Sequence, residues 1–277
     1  MQAGRGVGGR VVGAVVPHAI LIAFCAAILL PLVWLARVAL TDKATAYRLP
    51  PEWAALRLDN FAEIFARFDF ARAFLNSTVA ALGSTAIALP LATAMAYAFA
   101  RFATGGMPLR LSVLASQMLP PVILVLPMYA LFQAAALINT WVGLIIAHLT
   151  INIPFLAWML VAFFQGEAAQ LEQAARVDGA TRFQAFWRIA VPVSAPGLLA
   201  AGLLAFILSW NEFLFALILT GKATNTIPVR LASFQTQRGV EIALVAAGAL
   251  VAILPVLALL PFMRRYLIKG LSLGALK

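Results

Sequence analysis

Few residues in this chain can do chemistry. Its 277 residues include 2 histidines, 1 cysteine and 10 acids. No H-E-x-x-H and no G-x-x-x-x-G-K-[ST] phosphate loop occurs, and with only His18 and His148 the usual general bases of an enzyme are nearly absent. Cys25 is alone, so neither an intrachain disulfide nor redox chemistry is expected. What remains is "SWNEFL", where Trp210, Asn211 and Glu212 bring together an indole face, an amide and a carboxylate. Such groups can stack on and hydrogen-bond a hydroxylated solute, or the carboxylate can carry a proton. Glu212 is also the one formal charge inside an apolar stretch, where a charge costs about 2.5–3.5 kcal/mol at mid-bilayer. A gating or architectural pairing with a neighbouring helix is the competing role. Gln117, Gln133, His148, Thr150 and Asn152 are further polar groups in apolar runs. Of these, Gln117 and Asn152 join Trp210, Asn211 and Glu212 as candidates to line a pathway, with interhelical hydrogen bonding as the alternative.

The elements that must carry these groups follow from hydropathy. The chain is 64% apolar and 11% charged, far from the roughly 25% charge of a soluble domain. Charge-free runs Val11–Ala36, Ala73–Ala100, Ile189–Asn211 and Ile242–Met263 are each long enough for a membrane helix, which needs about 20 residues. The run Leu111–Gly166 is about 84 Å as a helix at roughly 1.5 Å per residue, close to three bilayer cores. It must fold back, best at Ala136–Trp141, where Asn139 and Thr140 interrupt it. Six spans result. Prolines at 120, 121 and 154 predict kinks in the third and fourth. The first apolar run is too long for a cleavable signal core, so an uncleaved first helix is expected. "GRGVGG" contains G-x-G-x-x-G but follows no strand, so it reads as a flexible basic tail rather than a dinucleotide site.

Orientation comes from the basic residues. With the N-terminus inside, eleven of the 20 Lys and Arg fall in cytoplasmic segments against three acids, and nine fall outside against six. Both termini are therefore expected inside. The net charge of +10 is topology rather than nucleic-acid binding, since no basic stripe or aromatic platform accompanies it. The organisation reads as a cytoplasmic tail (1–10), a first membrane helix (11–40), a periplasmic segment (41–72), a five-helix core (73–263) and a cytoplasmic tail (264–277). In the periplasmic segment Pro50–Pro51 predicts a turn. "DNFAEIFARF" predicts a helix capped by Asp59 or Asn60, with Phe61, Ile64 and Phe65 on one face. That helix would lie flat at the surface or dock a soluble partner.

One element stands out between two spans: "LEQAARVDGATRFQAFWRIAVP", Leu171–Pro192. Leu171, Ala174, Ala175 and Asp178 share a helical face, and its alanines leave the backbone open to close approach. Gly179 sits where a helix ends in a left-handed residue. Thr181 to Gln184 has the T-x-x-Q pattern of a capping box and restarts the helix. Phe183, Phe186, Trp187 and Ala190 form its apolar face, and Pro192 and Pro196 are expected to stop or bend the chain. An amphipathic connector on the lipid surface is the plain alternative to a rigid ridge that enters a partner's groove.

This element resembles the cytoplasmic loop of the permease subunits of ABC importers, E-A-A-x-x-x-G followed by I-x-L-P. Ala174, Ala175, Gly179, Ile189 and Pro192 match at the family spacing. Glu172, Ala174, Ala175, Asp178, Gly179 and Ala180 match the fuller carbohydrate-type pattern. Gln173 replaces a motif glutamate, for which Glu172 could substitute, and Val191 replaces leucine. "SWNEFL" and the tail "RRYLIKGLSLGALK" resemble the second permease of maltose-type importers. The resemblance implies an all-α, six-span type I importer permease whose residues 168–192 form a coupling helix, with Glu172, Gln173, Ala174, Ala175, Asp178, Gly179, Ala180, Phe186 and Pro192 at the ATPase contact. It implies a second permease chain, two ATPase subunits that bind ATP and Mg, and a periplasmic binding protein. It also implies a place in the bacterial inner membrane and import of a sugar, glycoside or polyol. Two alternatives remain: a proton-coupled transporter using Glu212, and an importer of a non-sugar solute such as glycerol phosphate.

Overall fold

The computed structural model describes residues 7–48, 56–102, 104–236 and 239–274. The chain's first six residues and the Pro50–Pro51 turn lie outside them. In chain order the helices are α1 (Val7–Ala39), α2 (Asp59–Arg67), α3 (Phe70–Phe102), α4 (Gly106–Met118), α5 (Pro121–Ala134) and α6 (Trp141–Gln165). They continue as α7 (Glu167–Val177), α8 (Arg182–Ala185), α9 (Val191–Trp210), α10 (Leu214–Leu219), α11 (Ile227–Ala232) and α12 (Ile242–Gly274). A two-residue hairpin pairs β1 (Gln235–Thr236) with β2 (Gly239–Val240). Among the described residues five helices are long and apolar enough to cross a membrane, and six spans result if α4 and α5 count as one.

Two details of the span pattern differ from expectation. The fold-back lies at 135–140 as the polar pair Asn139–Thr140 predicts, but Pro120–Pro121 breaks the third span outright. Residues before a proline avoid the helical region, and Leu119 and Pro120 are both extended, while Pro121 sits at the start of a new helix. The two halves meet at 94°. At the other end of the chain, α12 runs on through most of the expected C-terminal tail.

The chain divides into two units, Met1–Phe68 with Phe234–Val251 and Asp69–Ser233 with Ala252–Lys277. In the first, α1 exposes every described side chain from Val16 to Pro31. The segment beyond it is tied to the end of α1. Asn60 is buried and donates to the carbonyls of Ala39 (2.9 Å) and Thr41 (2.8 Å). The expected cap at Asp59 or Asn60 is not used: Leu58 holds the cap position without a side-chain bond, because Asn60 is committed to α1. Ile64 is buried while Phe65 is exposed. Lys43 bridges Glu63 (3.0 Å) and Glu241 (3.5 Å), and Phe68 meets Phe234 edge-on at 4.9 Å.

The second unit is a trunk of α3, α6 and α9. Ala88, Ala92 and Ala96 face Leu156, Ala157, Leu160 and Phe164, with Ala201 and Ala205 completing the core. Lipid cannot drive apolar helices together, so small residues that admit close backbone approach do this work by packing. Gly143, near the start of α6, is held close to the fold-back before it: an added Cβ would lie 2.3 Å from the Leu137 carbonyl oxygen. At Gly202, within the trunk, it would meet only side-chain ends, Leu89 Cδ2 at 3.3 Å and Thr85 Cγ2 at 4.0 Å. Gly143→Ala should therefore lower the thermal midpoint by the equivalent of about 1–3 kcal/mol, and Gly202→Ala by clearly less. A temperature ramp read by fluorescence-detected size exclusion in detergent checks this, and equal midpoints for the two variants would refute it.

Candidate functional site

The charged element forms two helices around a turn, and its local chemistry is as the spacing predicts. At the end of α7, Gly179 adopts φ +93°. Its N–H donates to the Arg176 carbonyl at 3.2 Å, and the Ala180 N–H reaches back to Ala175 at 3.0 Å, a Schellman pair that satisfies the last carbonyls. Thr181 then caps α8. The Gln184 N–H donates to Thr181 Oγ1 (3.3 Å) while the Thr181 N–H donates to Gln184 Oε1 (2.9 Å). Leu171, Ala174 and Asp178 are exposed, Ala175 is half-buried, and Val177 at the tip is 88% exposed.

Glu172 does not stand on that outer face. It is 5% exposed and points to α3, where Arg101 Nε lies 2.6 Å from one carboxylate oxygen and Tyr97 donates its hydroxyl to the other. It is therefore unavailable to replace the motif charge at Gln173, which is itself exposed. Tyr97 is also the hub of an aromatic cluster, with ring centroids of Phe186, Phe164 and Phe102 at 4.6, 5.7 and 5.8 Å. Arg101 and Tyr97 were not singled out by spacing, because a residue on α3 gives no local sign that it pairs with one on α7.

The apolar face of the second helix is also redistributed. Ala185 and Ala190 are buried and Phe186 half-buried, whereas Phe183 is 72% and Trp187 52% exposed. Nor does Pro192 stop the chain: the helix runs continuously from Arg182 to Trp210. Phe186–Ala190 winds as a π turn, with the Val191 N–H bonding to the Phe186 carbonyl five residues back. The wider turn absorbs the missing proline N–H and the ring's crowding of the carbonyl behind it.

The pathway candidates are scattered. Asn152 is buried and donates to Ser84 (3.3 Å) and Ser209 (2.8 Å), which are themselves 2.9 Å apart, so α3, α6 and α9 are pinned together. Trp210 is 3% exposed, with Phe206 stacked on it at 5.6 Å, Phe74 edge-on at 5.4 Å and its N–H on the Ala252 carbonyl. Its indole face is covered. Glu212 accepts from the N–H groups of Phe215 (2.9 Å) and Ala216 (3.0 Å), capping α10, and lies 3.5 Å from buried His148. Asn211 is exposed and bonds back to Ile207, and Gln117 is exposed and donates to the Ile151 carbonyl at 3.2 Å. A polar girdle holds the chain between α10 and α11. Asn76 donates to Ala223 and Asn225, Ser77 accepts from Ile227, and Asn139 accepts from Gly221 and Thr224.

Residues 86–272 match the family described as binding-protein-dependent transport system inner membrane component. A trehalose transport system permease protein of Mycobacterium tuberculosis is 37% identical over 90% of this chain and 92% of its own length. A sulfoquinovosyl glycerol transport system permease protein of Agrobacterium fabrum is 33% identical over 90% of this chain and 89% of its own. A trehalose/maltose transport system permease protein of Thermococcus litoralis is 29% identical over 90% and 91%. In fold, the chain is similar to a chain of a crystallised bacterial ABC transporter involved in the import of the polysaccharide alginate. The TM-score there is 0.71 at 19% identity, with 96% of this chain and 99% of that one covered.

Removing one partner of a buried ion pair costs about 3–5 kcal/mol because the other charge is stranded. Glu172→Ala should therefore loosen α7 and open the Val177–Thr181 turn to limited proteolysis in the folded, membrane-inserted chain. Arg101→Ala with Glu172→Ala should recover part of the protection. Unchanged cleavage in the single variant would show that the pair does not hold the element.

Proposed function

The chain belongs to the family of binding-protein-dependent transport system inner membrane components, and from that premise we propose how it works within its transporter. It is a permease subunit of a sugar-importing ABC transporter, a transport subunit rather than an enzyme. In the proposed assembly it pairs with a second permease chain and sits above two ATPase subunits, with both termini in the cytoplasm. A binding protein presents a sugar or glycoside on the outer side. ATP and Mg are held by the ATPase subunits.

One observation carries the coupling role. The α7–α8 knuckle is closed by Gly179 and the Thr181–Gln184 box, fastened at its base by Glu172 to α3, and continuous through the π turn with the span Arg182–Trp210. A push on its exposed face, where Ala174, Val177 and Asp178 stand with half-buried Ala175 beside them, is passed to two spans with little slack. ATPase closure would move the knuckle, and the trunk of α3, α6 and α9 would follow as a body. A proton-coupled reading through Glu212 is not needed to account for the buried carboxylate, which serves as the cap of α10.

Reconstituted with its partners in liposomes, the chain should take up labelled sugar only with internal ATP. Uptake on a proton gradient alone would overturn the assignment. Ala175→Arg, which puts a long charge on the knuckle, should abolish ATPase co-purification while leaving membrane insertion intact. So should Gly179→Pro, because proline fixes φ near −65° where +93° is required. Retained ATPase in both variants would remove the knuckle from the interface.

A further inference from the structure

A cavity of about 450 Å3 lies on the inner side of α7 and α8, lined by Arg101, Phe102, Gln165, Gln173, Arg176 and Arg182 together with the carboxylate of Glu172. Its rim marks the depth at which spans end. Arg101 and Phe102 close α3, Gln165 closes α6, and Arg182 opens the helix that continues as α9. Phe102, Phe183 and Trp187 are exposed near this level, where aromatic side chains favour the headgroup layer.

The charge is unbalanced. Glu172 is consumed by Arg101, and among the described residues Arg176 and Arg182 form no ion pair. The Nη2 of Arg101 is buried without a hydrogen-bond partner. The guanidinium of Arg182 is held over the Phe102 ring, 5.4 Å from its centroid. Gln173 lines the cavity at the position where the permease pattern has a glutamate, so no second carboxylate is there to repel an anion.

We infer that this cavity binds the phosphate of an anionic phospholipid from the cytoplasmic leaflet. Guanidinium groups pair with phosphate oxygens in bidentate fashion, and basic pockets between membrane helices on the cytoplasmic side suit such headgroups. The volume and the apolar side given by Ala100, Phe102 and Ala169 fit a phosphodiester with its glycerol better than a bare ion. The inference rests on the cytoplasmic placement of α7 and α8 in the proposed function. Its consequence is that the coupling element is seated on lipid as well as on protein.

Native mass spectrometry of the assembled transporter, exchanged into mixed phosphatidylcholine and phosphatidylglycerol, tests it. The complex should retain phosphatidylglycerol over phosphatidylcholine. Arg176→Gln and Arg182→Gln should each weaken retention about fivefold, while Arg188→Gln, exposed and outside the cavity, leaves it unchanged. Equal retention in all three variants overturns the site. Retention of added inorganic phosphate without preference for phosphatidylglycerol overturns the lipid as its source. Loss of the ATPase subunits from Arg176→Gln or Arg182→Gln in phosphatidylcholine alone also overturns it, because the arginines then serve a subunit's acid. ATPase co-purification of the unmodified complex in phosphatidylcholine checks the coupling role separately.

Discussion

A carboxylate taken out of water persists only where a cation and hydrogen bonds replace its hydration. Glu172 meets that condition through Arg101 and Tyr97, both on α3. The cost of burying the charge makes this arrangement selective, since α7 can sit in one place on α3 and in few others. Position, more than stability, is what the pair supplies. The knuckle's exposed face is defined by it, because once Glu172 points inward, helical spacing sends Leu171, Ala174 and Asp178 outward.

The second constraint is continuity. A proline four residues inside an ordinary helix kinks it, and a kink below a span would let a push dissipate as bending. The π turn at Phe186–Ala190 places the extra residue where Pro192 removes a donor, so the helix keeps its course from Arg182 to Trp210. Pro120–Pro121 has the opposite result. Two adjacent prolines extend the residue before each of them, and the helix ends and restarts at 94°. The same residue type thus gives one rigid rod and one elbow, and the difference lies in whether a neighbouring turn can absorb the missing bond.

Much of this was legible in sequence. Local rules were enough for the spans, the fold-back at Asn139, the Gly179 terminus and the Thr181–Gln184 box, because each depends on neighbours within about four residues. The burial of Glu172 was not legible, because its partners are two spans away and Arg101 also satisfies the rule for inside charges. Trp210 beside Glu212 suggested an open binding surface. Its ring is instead buried against Phe206 and Phe74, one of them on its own helix and one on α3. Asn60 looked like a cap by its place before an apolar turn, yet its amide closes a loop onto α1. In each case a residue with correct local credentials was claimed by a contact distant in sequence.

Where polar groups sit along the trunk follows from the same economy of hydration. Ser84, Asn152 and Ser209 hydrogen-bond to one another across three helices, which holds those helices in register. Around residues 221–227 the contacts run instead from Asn76 and Ser77 of α3 and from Asn139, and Asn76, Ser77, Thr224 and Ile227 are buried there. A trunk fastened at Glu172, across Ser84, Asn152 and Ser209, and again around 221–227 responds to a push as one body. In the proposed function that is what lets the work of the ATPase reach the far end of the trunk instead of being lost to slack between helices.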